Sequence, residues 1–303
     1  MQIAVLSART GWHTDELCRA LGERGHVGVV LSYENLVAKL GRAQAALTND
    51  GAEILEADAV LARLIPDGSL EQIIYRVNAL HWIRARGILV MNDASTIERC
   101  VDKFYTTALL QEAGLDTPET VVCERPGEAL AAVREMGDVV IKPLFGSMGI
   151  GMVRVSDNDT AARVVKVLDQ LRAVYYVQRV IEHDGCDVRV FVVGGRVLGA
   201  IERRARHNEW RTNLARGGRA TACQLPAAWR DIALRATAAI GAEYAGVDLL
   251  PAKDGRVFVL EVNGIPAWKG LQEATGIDVA GTIVEHLVDR VRRTHACGTA
   301  APK

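Results

Sequence analysis

The chain lacks net charge, long apolar runs and paired cysteines, and each lack removes a class of protein. Its 36 basic side chains against 37 acidic ones leave a net charge of -1. That balance argues against broad attachment to nucleic acid or to an anionic lipid surface. No stretch is long enough to span a bilayer, and the apolar run from Met1 to Leu6 is too short for a signal peptide. The six cysteines, Cys18, Cys100, Cys123, Cys186, Cys223 and Cys297, are scattered without a C-x-x-C. Reduced thiols fit this better than a disulfide frame or a zinc site. The seven histidines show no ligand-like spacing. The expectation is a cytoplasmic protein whose partners include neither membrane nor nucleic acid. With 49% hydrophobic and 24% charged residues over 303 positions, the chain should fold as two or three compact units.

What is present alternates first between strands and helices. Ile3-Ala4-Val5-Leu6 reads as a buried strand, residues 14–24 as a helix capped by Gly25, and Val27 onward as the next strand. Residues 59–64, 70–84 and 88–91 repeat the order strand, helix, strand, which implies a parallel sheet covered by helices. A second unit opens at Ser95-Thr96-Ile97-Glu98, in the form of a capping box. Its helix carries Asp102 and Lys103 and runs to Gly114. From the strand Val139-Val140-Ile141-Lys142 to about residue 262 the pattern is mostly antiparallel hairpins, with one helix over 228–241. A last amphipathic helix spans 279–292. The expected divisions are an N-terminal α/β domain over 1–94, a central subdomain over 95–184, a C-terminal subdomain over 185–292, and a disordered tail over 293–303. The fold class is α/β, with α+β character in the C-terminal half.

Lys142 is followed by Pro143-Leu144-Phe145-Gly146-Ser147-Met148-Gly149-Ile150-Gly151, after which the chain is strand-like again. Glycines without side chains let backbone N–H groups close over phosphates, and Lys142 adds a point charge beside them. No Gly-Lys-Ser/Thr closes the loop, so it is not a Walker A sequence; nor does it open a helix, as a dinucleotide fingerprint would. A flap over a nucleotide and a hairpin with an awkward turn both fit.

Two hairpins carry the charged residues. With Asp254-Gly255 as a two-residue turn, Lys253 faces Arg256, and counting outward sets Asp248 opposite Glu261, with Asn263 two residues on along the same face. Opposed carboxylates repel, so something positive must lie between them. Two carboxylates and an amide suit Mg²⁺ holding substrate phosphates, and a lysine or arginine could neutralise the pair instead. Pro251 is a place for a bulge that alters this register. With Gly194-Gly195 as the second turn, Asp187 pairs opposite Glu202, and Arg189 shares the face of Asp187. Beyond this hairpin lies A-I-E-R-R-A-R-H-N-E-W-R-T-N-L-A-R-G-G, where Arg203, Arg204, Arg206, Arg211 and Arg216 surround Asn213. Guanidinium forks at this density suit several phosphate or carboxylate oxygens at once, or a solvated basic loop.

These pieces, in this order, resemble the ATP-grasp fold with an N-terminal parallel-sheet pre-ATP-grasp domain, and specifically the RimK-type α-L-glutamate ligases. The likeness covers residues 95–288 and is carried by Asp102-Lys103, V-I-K-P, G-S-M-G-I-G, G-C-D-V-R, A-I-E-R-R-A, R-T-N-L-A-R-G-G, A-G-V-D, L-E-V-N and T-G-I-D-V-A. The resemblance implies ATP phosphates held by Lys103, Lys142 and the loop residues Gly146, Ser147, Gly149 and Gly151. It implies an adenine hinge at Gln178, Arg179, Val180 and Ile181, a ribose contact at Asp187, and Arg211 and Asn213 near the phosphates. Asp248, Glu261 and Asn263 match the family's Mg²⁺ ligands, with Mn²⁺ as a substitute. Two departures stand out: Arg179 occupies a usual glutamate position, and Gly264-Ile265-Pro266-Ala267-Trp268-Lys269-Gly270 replaces the family's small-Pro-Gly sequence beside the acceptor site. The N-terminal half, in L-I-P-D-G-S-L-E-Q-I-I-Y-R and I-E-R-C-V-D-K-F-Y-T-T, looks like the ligases that add glutamate to tetrahydromethanopterin or a deazaflavin coenzyme.

The resemblance thus implies an ATP-dependent carboxylate–amine ligase. It would phosphorylate an acceptor carboxylate and let L-glutamate displace the phosphate, with Arg203 and Arg211 holding the acyl phosphate and oxyanion. The expected partners are L-glutamate and a small-molecule acceptor, with Trp268 stacking on its ring and Lys269 meeting its carboxylate. An exposed sheet edge or helix leaves room for a homo-oligomer. The competing readings are glutamylation of a ribosomal protein's C-terminus, a phosphotransferase, a non-catalytic ATP-binding module, and, on the basic block alone, a nucleic-acid binder.

Overall fold

The computed structural model describes residues 1–41, 45–146, 149–204 and 219–298. Strand β1 (Gln2–Ser7), buried from Ile3 onward, leads into α1 (Trp12–Glu23), and β2 (Val27–Ser32) returns parallel to β1. Gly25, at φ 72°, makes the turn between them. A small antiparallel sheet of β3 (Leu36–Lys39), β4 (Ala46–Asn49) and β5 (Ala52–Glu53) intervenes. No sequence pattern announces it, because its strands are two to four residues long. Then β6 (Ala59–Ala62), α2 (Leu70–Ala85) and β7 (Leu89–Met91) complete an all-parallel sheet ordered β2-β1-β6-β7.

The expected single helix over Asp102 is two helices, α3 (Ala94–Val101) and α4 (Lys103–Glu112). Asp93, not Ser95, caps α3, accepting from the Ser95 N–H at 2.7 Å, so Ser95–Glu98 is helix interior rather than a capping box. Asp102 separates the helices and caps the second, accepting from the Tyr105 N–H at 3.0 Å. Lys103 thereby becomes the first residue of α4. The next elements are β8 (Thr120–Cys123), α5 (Pro126–Met136), β9 (Val139–Lys142), β10 (Val153–Val155), α6 (Asn158–Gln170) and β11 (Tyr175–Arg179). They form an antiparallel sheet ordered β10-β9-β11-β8. Helix α6 falls where only hairpins were expected; Asp157 caps it through the Thr160 N–H, and Ala161 and Val165 anchor it on the sheet.

The last unit holds β12 (Cys186–Val193), β13 (Arg196–Arg204), β14 (Arg219–Ala222), α7 (Ala227–Ile240), β15 (Tyr244–Pro251), β16 (Val257–Asn263), α8 (Lys269–Thr275) and α9 (Val279–Gly298). Its antiparallel sheet runs β14-β13-β12-β15-β16. Helix α9 continues to Gly298, into the tail expected to be disordered from 293. Among the described residues no helix is long and apolar enough to cross a membrane.

The two faces of this sheet differ. Val188, Val190 and Val192 of β12 turn toward Ala233, Ala236 and Ile240 of α7 and form one core. On the other face Phe191, Val193, Ile201 and Tyr244 pack with Ile3, Val5 and Leu61 of the parallel sheet, with α9 and with Trp268. That face is apolar only at this end; Asp187 and Arg189 continue it as charge.

Asn92, fully buried, ties the parallel unit to this sheet. Its Nδ2 donates to the Tyr244 and Gly264 carbonyls, each at 2.7 Å, and its Oδ1 accepts from the Glu243 and Tyr244 N–H groups at 2.7 and 3.3 Å. Asn92→Leu keeps the volume and strands four backbone groups. It should lower the unfolding free energy by on the order of 3 kcal/mol in urea denaturation; an unchanged midpoint would show that the units hold together without this clamp.

Candidate active site

A cavity lies between the sheets of β8–β11 and β12–β16. Lys103, Lys142, Gln178 and the glycine loop line one wall, and Asp187, Arg203, Asp248 and Glu261 line the other. The glycine loop joins β9 to β10, which pair antiparallel with Val153 opposite Ile141, so it is the tip of a hairpin overhanging the cavity. Gly146, Gly149 and Gly151 all take positive φ, at 126°, 67° and 75°. Ser147, Arg211 and Asn213 lie outside the described residues, as does the basic block from 205 to 218.

Asp248 does pair with Glu261, but by two offsetting departures. The turn has three residues rather than two: Ala252 bonds to Arg256, and Gly255 sits at φ 88°. That shifts the ladder by one, to Leu249 opposite Val259, and a bulge at Leu260 restores it, so Asp248 faces Glu261 after all. The bulge falls on β16 and not at Pro251. In the second hairpin nothing offsets the shift. Gly194 and Gly195 make the two-residue turn, but a bulge at Leu198 moves the register, so Asp187 pairs with Arg203 and Val188 with Glu202. The expected Asp187–Glu202 pair is therefore corrected. A one-residue slip sends Glu202 to the opposite face, where it bonds Arg204 at 2.8 Å.

The slip builds the site's charge cluster. The buried Arg203 guanidinium grips Asp187 through Nε and Nη2 at 2.7 and 2.6 Å, and its Nη2 also reaches Asp248 at 2.7 Å. Arg189, opposite Asp248 in the β12–β15 ladder, binds it with a second fork, both contacts at 2.7 Å, and extends to Glu261 at 3.2 Å. Burial opposes charge on Asp248, yet the two guanidinium groups prevail and hold its pKa well below the ordinary carboxylate value. Enclosure by the cavity walls and the neighbouring Asp248 charge push Glu261 up, although its side chain is 46% exposed toward the cavity. Arg189 was not among the candidate site residues. Its place opposite Asp248 follows from pairing β12 with β15, which neither hairpin reveals.

Across the cavity Lys142 donates to Gln178 Oε1 at 2.5 Å, while Gln178 Nε2 is held by Thr120 and Tyr176. Burial, with Lys103 assisting, lowers the Lys142 pKa to about 8. Lys103 Nζ donates to the carbonyls of Leu144 and Gly146 at 3.3 and 2.8 Å, fastening the loop's root to α4. At the hinge, the Arg179 and Val180 N–H groups are taken by Glu119 and Asp138 carbonyls. Among the described residues the Ile181 N–H has no backbone partner. Arg179 turns its side chain to Glu119 and the Met136 carbonyl. Asp187 lines the cavity with both carboxylate oxygens on Arg203.

The acceptor assignment of Trp268 needs correction. Its ring is 1% exposed, covered by Arg63, His13 and Phe191, and offers no open face for stacking. Lys269 is half exposed and 3.8 Å from Glu273.

Residues 1–97 match the RimK PreATP-grasp domain and residues 100–287 the RimK-like ATP-grasp domain. The chain belongs to the RimK family of ATP-grasp ligases. A tetrahydromethanopterin:alpha-L-glutamate ligase of Methanosarcina acetivorans is 33% identical over 307 residues, covering 91% of this chain and 95% of that one. A ribosomal protein bS6–L-glutamate ligase of Escherichia coli is 32% identical over 301 residues, 98% of both chains. Among solved structures, a RimK domain protein of Sphaerobacter thermophilus superposes with a TM-score of 0.71 at 25% identity, over 95% of this chain and 100% of that one. The ATP-grasp ligase PsnB, complexed with a minimal precursor, shares the fold with a TM-score of 0.75 at 23% identity, over 96% of this chain and 98% of its own.

In this RimK-family site the donor set fits a hard divalent cation. Glu261 and Asp248 face each other, and Asn263 follows on the same side of β16. Asn263 Oδ1 accepts from the Ile265 N–H at 2.9 Å, which fixes the side chain at the strand end. Among the described residues no three His, Cys, Asp or Glu side chains cluster to hold a metal.

The two carboxylates should respond oppositely to neutralisation. Asp248→Asn strands Arg189 and Arg203 and should cost on the order of 3 kcal/mol in urea denaturation. Glu261→Gln should leave stability at pH 7 unchanged or higher. The native state holds the Glu261 proton more tightly than the unfolded chain does, so its ionisation erodes stability as pH rises from the ordinary value of 4.5 through the raised one. Glu261→Gln should remove that decline. Equal losses in both variants would contradict the charge assignment.

Proposed function

We propose that this ligase joins L-glutamate to an acceptor carboxylate through an acyl phosphate made from ATP. The observation that carries the reading is one cavity with lysines and a glycine hairpin on one wall and the Asp248–Glu261 pair on the other. Lys142 and Lys103 would neutralise the phosphates, and the free Ile181 N–H would read the adenine. The 146–151 hairpin would exclude water from the reactive intermediate. Asp248, Glu261 and Asn263 would hold Mg²⁺, or Mn²⁺ in its place, which when bound screens phosphate charge. The acceptor carboxylate oxygen attacks the γ-phosphorus and ADP leaves. The glutamate nitrogen then attacks the acyl carbon, loses a proton, and phosphate departs. Arg203 and Arg211 would steady the oxyanion between these events.

The acceptor we infer is a small coenzyme with a carboxylate tail, a tetrahydromethanopterin-type one-carbon carrier. The N-terminal motifs and the Methanosarcina relative support it. The second reading, a ribosomal protein C-terminus, is favoured by the bS6 ligase that matches over nearly both whole chains.

Incubation with ATP, Mg²⁺, isotope-labelled glutamate and either tetrahydromethanopterin or bS6 should place label on the coenzyme, read by mass spectrometry. Label on bS6 alone would transfer the reading to the protein acceptor. ADP with a stable phosphorylated product and no incorporated amine would indicate a phosphotransferase.

A further inference from the structure

Two residues along β12 from Arg189, about 7 Å on the same face, lies Phe191, and Trp268 packs edge-on against it with ring centroids 6.4 Å apart. Around Trp268 gathers a set of groups that all donate. Arg63, 6% exposed, places its guanidinium 4.6 Å over the indole and donates to the Tyr244 hydroxyl at 3.2 Å and the Pro266 carbonyl at 3.1 Å. Among the described residues its hydrogen-bond partners are these two neutral oxygens and no carboxylate, although a buried guanidinium without a counter-charge is costly. Among the described residues the buried Trp268 Nε1–H has no partner. His13, 4.7 Å away ring to ring, accepts the Trp268 backbone N–H on Nε2 at 3.2 Å. The pKa of His13 is lowered to about 4 by burial, Arg63 and Lys269, so its proton sits on Nδ1 as a further donor. His13 also belongs to the first turn of α1, whose Gly11 cap brings no side-chain acceptor to the free N–H groups.

What this cluster lacks is an anion. It also adjoins the reaction centre: a Cβ on Gly246 would meet Pro266 Cβ at 3.1 Å and Arg189 Cδ at 3.5 Å, so the residue that Arg63 holds is one methyl away from the guanidinium that holds Asp248. We propose that Arg63, His13, the Trp268 indole N–H and the start of α1 form a carboxylate subsite, distinct from the nucleotide cavity, that seats a substrate carboxylate beside Arg189. It rests on the glutamate-ligase reading for its substrate class. The carboxylate belongs either to the incoming glutamate or to the acceptor's tail. Trp268 thus acts through its N–H edge, not through the face that stacking would need.

The test is equilibrium binding, which does not depend on turnover. Tryptophan fluorescence and calorimetry of the whole protein are followed as L-glutamate, glutarate or inorganic phosphate is added. Saturable carboxylate binding is expected, weakened tenfold or more in Arg63→Lys and several-fold in Trp268→Phe, both judged folded by circular dichroism. Glutamate bound and glutarate ignored would assign the subsite to the amino acid; glutarate bound as tightly would assign it to the acceptor tail. No saturable carboxylate binding, phosphate binding alone, or affinities untouched in both variants would overturn the proposal. Failure of labelled glutamate to be incorporated, with carboxylate binding intact, would instead count against the ligase reading.

Discussion

The site is organised by one electrostatic constraint, the placing of Asp248 and Glu261 opposite each other on adjacent strands. Two carboxylates at that spacing demand a cation, and guanidinium forks supply it. Arg189 and Arg203 occupy both oxygens of Asp248, leaving Glu261 with a single long contact and a raised pKa. On the function proposed above, a divalent cation would compete with the arginines for the same oxygens. Of the two cations that could lie between these carboxylates, the structure shows guanidinium, and a divalent ion in its place is part of the proposed function.

The rest of the fold serves this pair. The antiparallel sheet presents it on a face whose other end is sealed by the parallel unit, α9 and Trp268. Asn92 fixes that seal through Tyr244 and Gly264, at the end of β15 and just beyond β16. The hairpin of β9 and β10 faces the pair across the cavity with Lys142, held by Gln178 and Tyr176 in surroundings that depress its pKa. Such a lysine gains most when phosphate charge arrives.

How much of this the sequence disclosed depends on the range of the interaction. The strands of the parallel sheet and the turn at Gly25 follow from local pattern and stand where pattern puts them, whereas the short strands β3–β5 and helix α6 do not announce themselves. Registers are less local. Counting from a turn succeeded at Asp248 only because a three-residue turn and the Leu260 bulge offset each other, and failed at Asp187 because the Leu198 bulge had no counterpart. Bulges carry no signature in these aliphatic strands. Arg189 could be placed on the face of Asp187, but its pairing with Asp248 could not be read, because that partner lies on a strand 59 residues away. Position just after β16 makes Trp268 look like a surface for a ligand but says nothing of burial, which Phe191, Arg63 and His13 together decide. The family resemblance supplied what no local pattern holds, the family itself, and with it the roles proposed for residues that meet only across the cavity.

The central claim is that Asp248 and Glu261 exchange guanidinium for a divalent cation. The most direct measurement is anomalous diffraction from crystals grown with Mn²⁺ and a non-hydrolysable ATP analogue. The account predicts a manganese peak bounded by Asp248, Glu261 and Asn263, with the Arg189 fork withdrawn from at least one Asp248 oxygen. Nucleotide bound with both forks intact and no peak between the carboxylates would contradict it.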